Sequence, residues 1–212
     1  MARWEPGAQG RLQQAALDLF VERGYARTTV EDIAARAGLT ERTFFRYFTD
    51  KREVLFSGSA DLEQFIVESI GHAPKTMAPL DAVAAALEAA AQWFEERRAH
   101  ARKRRAVIAA DAELRERELI KLASLAVAVA ASLRKRGVSA PTAALAAEAG
   151  IAVFKNAFER WADDKEQRPL SSHIQAALKE LRAVAAGTAT SSPRLRPTMT
   201  SRRPRSKAQR PA

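Results

Sequence analysis

Cysteine is absent from the 212-residue sequence, which excludes disulfide bonds and zinc sites built on thiolates. Histidine is scarce too: His72, His100 and His173 lie far apart, without the spacing that metal ligands share. The nine glycines are dispersed, so no glycine-rich phosphate loop exists. No strand pattern precedes residues 57–59 (Ser-Gly-Ser) to make them a nucleophile turn. We therefore expect no enzyme, no cofactor and no metal.

Long apolar runs are also missing from the sequence. The longest, near residues 122–133, is short and alanine-rich, and the basic triplet 134–136 follows it. Residues 1–10 are polar and contain Pro6, unlike a secretory signal. Because a membrane span needs about 20 apolar residues, we expect a cytoplasmic, nucleoid-associated protein without a membrane partner.

Acidic residues are missing from one segment, and this explains most of the formal net charge of +10. Residues 187–212 hold seven basic side chains and no acidic one, whereas the rest of the chain is nearly balanced. The same segment is rich in Ser, Thr, Pro and Arg, which predicts a disordered basic tail. The basic pI therefore does not by itself argue for nucleic-acid binding elsewhere.

The local signals are strongest in residues 28–51. Thr28 or Thr29 can cap a helix, with Asp32 three residues after Thr29 as in a capping box. Gly38 can end that helix in the left-handed conformation, and a second short helix follows. Two short helices joined by a tight turn predict a helix-turn-helix.

The second of these helices has two unlike faces. Phe44 and Phe48 are four residues apart and are expected to point into a core. The opposite face carries arginines, threonines and aromatic groups, which suit the major groove. Arg42 and Arg46 are candidates for base contacts, and Glu41 either accepts from a cytosine or orients one arginine. The other contacts expected with DNA, at phosphates, sugars or thymine methyls, involve Thr28, Thr29, Thr40, Thr43, Phe45, Tyr47 and Lys51.

A family resemblance rests on the runs at 28–30 (Thr-Thr-Val), 37–40 (Ala-Gly-Leu-Thr), 43–45 (Thr-Phe-Phe) and 50–51 (Asp-Lys). With these residues the chain resembles the DNA-binding domain of TetR-type transcriptional regulators, over about its first 56 residues. Where many members carry a phosphate-contacting tyrosine, this chain has Phe45, so that hydroxyl is missing. The resemblance implies a dimeric regulator with a ligand site in its second domain.

Helical periodicity predicts an all-α fold for the whole chain. We expect helices over residues 10–22, 80–94, 114–136, 139–163 and 170–186. Residues 50–70 predict a single rod that joins two domains, with a phosphate-binding amino end beside Lys51. The expected domains are a DNA-binding domain at 8–56 with its motif at 29–48, a helical ligand-binding and dimerisation domain at 57–186, and the basic tail at 187–212.

Two apolar stripes follow the last two helices. Periodicity leaves two interpretations equally open: the stripes form the seam of a four-helix dimer, or they pack inside their own domain. The resemblance favours a homodimer. The predicted interface residues are Ile151, Phe158, Trp161, Ile174, Leu178 and Leu181.

Bulky side chains among many alanines suggest an apolar cavity in the second domain, although the same side chains can simply fill its core. The candidate pocket residues are Phe65, Trp93, Phe94, Ile108, Leu122 and Phe154. The resemblance implies that a small, lipophilic ligand binds in this domain.

We favour a ligand-responsive repressor that binds a palindromic operator of double-stranded DNA as a homodimer. The alternative is an architectural DNA-binding protein with the same fold and no ligand. The basic stretch at residues 97–105 has two interpretations: it attracts DNA or an anionic ligand, or, as its interleaved acids favour, it is a solvated helix junction.

Overall fold

The computed structural model describes residues 7–188, which form eleven α-helices and no strand. The predicted all-α fold is confirmed, and the predicted tail lies outside this range apart from its first two residues. The helices are α1 (Ala8–Arg23), α2 (Val30–Arg36), α3 (Glu41–Tyr47), α4 (Glu53–Phe56), α5 (Ser59–His72), α6 (Pro79–Ala90), α7 (Gln92–Glu95), α8 (Arg98–Ala110), α9 (Ala112–Lys135), α10 (Ala140–Asp163) and α11 (Leu170–Ala185).

The helix-turn-helix forms as its local signals predict. The Thr29 side chain caps α2 in a complete capping box with Asp32. Gly38 follows α2 with a φ of 65°, in the left-handed region, and Thr40 then caps α3 by accepting from the Thr43 backbone N–H. Each of these signals depends on neighbours in sequence, which is why sequence alone predicts them.

Two apolar clusters organise the molecule. The first unites α1 to α4 around Leu12, Ile33 and Phe44, each with 0% exposure. It also takes in three residues from much later in the chain, Val107 and Ile108 of α8 and Leu114 of α9. The second cluster lies between α5, α6, α9, α10 and α11. The junction of α8 and α9 is therefore part of the helix-turn-helix core.

The continuous helix predicted over residues 50–70 is wrong. α4 ends at Phe56, Gly58 has a φ of 85°, and α5 begins at Ser59. A left-handed residue cannot continue an α-helix, so the chain turns there. α4 packs in the first cluster and α5 in the second, and Gly58 separates them.

Most residues of the stripes on α10 and α11 pack inside their own chain, so those that are buried are not free to form a dimer seam, and a seam at the partly buried Phe158 and Leu181 stays a prediction. Trp161 and Ile174 are fully buried and Ile151 and Leu178 are buried, all in the second cluster. Phe158 and Leu181 are partly buried against the same cluster. Periodicity locates an apolar face but does not say which helix covers it, and here the covering helices belong to the same chain.

Two further findings apply to residues 7–188. No helix there combines the length and apolar character that crossing a membrane requires. No group of three or more histidine or acidic side chains in that range is placed to hold a metal ion.

Candidate nucleic-acid interface

α3 is fixed by its apolar side and presents its polar side to solvent. Phe44 is completely buried and Phe48 is 4% exposed, with their ring centroids 5.2 Å apart. This pair seats α3 against α1 and α2. The prediction that both rings point into a core is confirmed.

The opposite side of α3 carries the residues predicted to meet DNA. Arg42 and Arg46 are exposed, and Phe45 and Tyr47 are 55% and 39% exposed. Arg46 Nη2 donates to the Tyr47 hydroxyl at 3.2 Å, and its guanidinium carbon lies 4.9 Å from the Tyr47 ring centroid. This contact gives Arg46 a defined direction, which a base contact requires. Exposed Glu41 pairs with neither arginine among the described ion pairs, so it does not orient them here.

Thr29 lies at the exposed start of α2. Its hydroxyl donates to Asp32 Oδ2 at 2.9 Å, and its backbone N–H donates to the same carboxylate at 3.0 Å. These hydrogen bonds, the backbone one first, lower the pKa of Asp32. The carboxylate therefore stays charged at neutral pH and keeps the entry to α2 ordered.

Thr28 and Lys51 are not placed as surface contacts. Thr28 is 1% exposed and its hydroxyl donates to the Gly24 carbonyl at 2.9 Å, so its side chain cannot hold a phosphate without local rearrangement. Lys51 Nζ donates to the carbonyls of Tyr25 and Thr28, at 2.8 Å each, and lies 4.0 Å from the Tyr25 ring centroid. Burial lowers the pKa of Lys51. Both residues therefore fix the loop between α1 and α2.

Four of the six residues predicted to line a ligand pocket pack against the second apolar cluster. Phe65 and Trp93 form one aromatic pair with centroids 5.1 Å apart, while Phe94 and Phe154 form another at 6.1 Å. Leu122 is partly buried against the same cluster. Ile108 is wrongly predicted, because it is 2% exposed in the helix-turn-helix core instead. Sequence could not show that α8 returns to the first domain.

The basic stretch at 97–105 has a role that neither interpretation anticipated. Arg98 Nη1 donates to the Trp161 carbonyl at 2.9 Å, and Arg102 Nε donates to the Ala162 carbonyl at 2.8 Å. Arg105 pairs with Asp163 at 2.5 Å. These arginines, spaced by four and three residues, share one face of α8 and cap the carboxyl end of α10, where unpaired carbonyls and the helix dipole favour cations.

A neighbouring face of α8 holds the helix-turn-helix domain. Arg104 Nε donates to the Leu55 carbonyl at 2.7 Å, and its guanidinium also pairs with Glu118 at 3.1 Å. Lys103 reaches Asp18 of α1 at 3.5 Å. Glu53 of α4 is held by two cations of α9, as Arg117 and Lys121 lie 2.6 and 3.2 Å away. α8 therefore bridges the helix-turn-helix and the end of α10.

Comparison with known proteins agrees with this architecture. The family described as bacterial regulatory proteins of the tetR family matches residues 12–57. The HTH-type transcriptional regulator TcmR of Streptomyces glaucescens is 35% identical over 79 residues, which cover 37% of this chain and about a third (35%) of TcmR. The regulator MftR of Mycobacterium tuberculosis is 26% identical over 157 residues, which cover 73% of this chain and 79% of MftR.

Solved structures share the fold. The SmeT–triclosan complex superposes with a TM-score of 0.61 at 22% identity, covering 84% of this chain and 91% of that one. FadR from Bacillus subtilis, in complex with stearoyl-CoA, gives 0.56 at 19% identity, covering 81% and 96%. At these identities the likeness concerns the fold alone. The matched family and the two relatives in sequence are regulators of transcription and not enzymes.

Proposed function

We propose that this chain, a TetR-type transcriptional regulator, is a ligand-responsive repressor that binds a palindromic operator as a homodimer. The observation that carries the proposal is the outward face of α3, where Arg42, Phe45, Arg46 and Tyr47 are all exposed. Arginine can bind guanine through two hydrogen bonds, and an exposed ring can contact a thymine methyl. Thr29, Thr40 and Thr43 flank this face and complete the proposed contact surface.

Selection from a random double-stranded DNA library tests sequence-specific binding. The repressor should enrich an inverted repeat, because two copies of α3 related by a two-fold axis read the same half-site twice. The alternative, an architectural protein that does not read bases, predicts no enriched motif. Enrichment of single, unrepeated half-sites would contradict the dimeric part of the proposal.

We propose a dimer surface outside the buried part of the two stripes. Two exposed apolar side chains remain near the same end of the α10–α11 hairpin, Leu145 at 73% and Val184 at 65% exposure. Ala152 is seven residues from Leu145 and exposed on the same face of α10, and Ala176 is exposed on α11. Small residues beside large ones allow close helix packing, so we assign the homodimer contact to this outer face of α10 and α11.

A small apolar ligand in the second domain would act on DNA binding through α8. The proposed route replaces a rigid rod through residues 50–70, because Gly58 interrupts that rod. α8 is bonded at Arg98, Arg102 and Arg105 to the end of α10, and its Arg104 is bonded to α4. A surface crevice of about 260 Å³ lies between the end of α1 and the end of α8.

Ligand binding is supported by the small molecules carried by two structures of the same fold, triclosan and stearoyl-CoA. The test is thermal unfolding of the full chain with triclosan and with a library of apolar compounds, since a ligand selective for the folded state raises the Tm. A stabilising compound should also release the selected DNA site. Stabilisation without release would contradict the switch.

A further inference from the structure

Four aromatic side chains form one cluster beneath α7. Phe94 of α7 lies 6.1, 5.5 and 6.5 Å, between ring centroids, from Phe154, Phe158 and Trp161 of α10. Phe158 and Trp161 are themselves 5.3 Å apart. Ring pairs at these distances attract one another in tilted or edge-on arrangements. A flat aromatic molecule can make the same contacts with three of these rings when it takes the place of the fourth.

Trp161 contributes a polar group, its indole N–H, to this cluster. Its side chain is 0% exposed, and its indole Nε1–H is buried without an acceptor among residues 7–188. An indole N–H only donates, and buried donors are almost always paired. The indole N–H is therefore a buried donor without a partner among the described residues.

The indole is held in place by other contacts. The Arg98 guanidinium carbon lies 4.6 Å from the centroid of the Trp161 ring, and Arg98 donates to the Trp161 and Arg168 carbonyls. Arg98 therefore already has acceptors, whereas the indole N–H has none within residues 7–188. A donor held in a fixed position among apolar walls is the usual means by which an apolar site orients its ligand.

α7 is the shorter of the two helices that contribute rings to the cluster, and its Glu95 carboxylate accepts from the Leu170 backbone N–H at 2.6 Å. It has four residues and none of them is buried, and its Trp93 is 43% exposed. Phe94 is the one ring of the four that α7 contributes. A small shift of α7 would therefore remove this ring and leave the three rings of α10. The other three rings all lie on α10, which has 24 residues.

We propose that Trp161 Nε1–H is the polar anchor of the effector site, and that the effector is a flat aromatic molecule with an oxygen acceptor at its edge, such as an aryl ketone or ether. The ligand replaces the Phe94 ring between Phe154, Phe158 and the indole, and its oxygen accepts from Trp161. This inference rests on the proposed function, in which the second domain binds a ligand. Since Trp161 adjoins the α10 end that α8 caps, occupancy acts directly on the bridging helix.

The test uses two probes with one three-ring skeleton, 9-fluorenone and fluorene, of which only the first has a carbonyl. Equilibrium dialysis measures their affinities for the full-length wild-type chain, for Trp161→Phe and for the control Tyr25→Phe, which also removes a polar group from a buried aromatic side chain but lies in the first apolar cluster. Wild type should prefer fluorenone. Trp161→Phe should weaken fluorenone roughly 2- to 10-fold more than it weakens fluorene, the range for one hydrogen bond, while Tyr25→Phe should change neither.

Equal effects of Trp161→Phe on the two probes, or none on fluorenone, would overturn the anchor. Failure of both probes to bind wild type would overturn the ligand class, whereas a library compound that still raises the Tm would leave the proposed function standing. Phe94→Ala tests the proposal even if Trp161→Phe folds poorly. It removes the ring that the ligand is proposed to replace, so it should strengthen fluorenone binding. Weaker binding to Phe94→Ala would contradict the proposed position.

Discussion

At the scale of single residues, substitutions of Arg42 and Arg46 distinguish contacts with bases from simple attraction to the charge of DNA. Replacing either by alanine should weaken the selected site by about 1–3 kcal/mol and relax its base preference, as expected for a lost bidentate contact. Arg36→Ala is the control: Arg36 is exposed on α2 and bonded to Glu22, so its loss removes the same charge without removing a base contact. Fluorescence anisotropy on specific and random duplexes measures both effects. Equal losses on the two duplexes would reassign the arginines to phosphates.

A second prediction at this scale concerns Asp164 and the dependence of stability on pH. Its carboxylate accepts from Arg168 and His173 and from the backbone N–H groups of Glu166 and Arg168. The Arg168 hydrogen bond foremost, with the others, places the pKa of Asp164 well below its ordinary value of 3.8. A depressed pKa stabilises the fold above the ordinary value, and that stability is lost as the pH falls toward the folded-state value.

Asp164→Asn should therefore lower the Tm near neutral pH, and its deficit relative to wild type should shrink as the pH is lowered below about 4. Thermal unfolding between pH 7 and pH 3 measures the deficit. Asp61→Asn, which removes an exposed carboxylate on α5, is the control for the loss of one negative charge. A deficit that stayed constant with pH would mean that the ionised carboxylate is not what orders the α10–α11 loop.

At the scale of helices, replacing Gly58 between α4 and α5 should measurably lower the free energy of unfolding. A Cβ at Gly58 would meet nothing within 4 Å, so the effect of Gly58→Ala comes from its φ of 85°. Holding an alanine in the left-handed region costs about 1 kcal/mol, and the free energy of unfolding should fall by that amount. Urea denaturation provides the value. A more stable variant would show that the chain tolerates a continuous helix between α4 and α5.

The helices also show where sequence information ends. Thr29, Asp32, Gly38 and Thr40 act through neighbours a few residues away, so the motif and its bounds were predictable. Most of the longer helices were predictable for the same reason, from their 3.6-residue periodicity. Which helix covers each apolar face was not predictable, because Trp161 has the same spacing whether it packs against a partner or against its own chain. Likewise, nothing local in Val107 or Ile108 shows that α8 packs in the first core.

At the scale of the whole molecule, the outer face of α10 and α11 should hold two chains together. Leu145→Glu combined with Val184→Glu should give monomers, because each change puts a charge into the proposed apolar contact. Both side chains are more than 60% exposed in the single chain, so the fold should survive. Sedimentation velocity measures the assembly. Val21→Glu, at an exposed apolar site on α1, should stay dimeric, and a dimeric double variant would refute this surface.

The charge distribution of the whole chain leads to a last prediction, on salt dependence. Seven basic residues and no acidic one lie beyond Thr188, outside the described range, and we propose that they add affinity for DNA without adding specificity. Each phosphate contact steepens the dependence of log affinity on log salt by about 0.9. If two or three of the seven cations engage at once, truncation after Thr188 should flatten the slope by roughly 2 to 3 units. The ratio of specific to random binding should hardly change, because the α3 face is intact. Titrations at several salt concentrations with both chains measure the slopes, and equal slopes would show that these residues take no part in DNA binding.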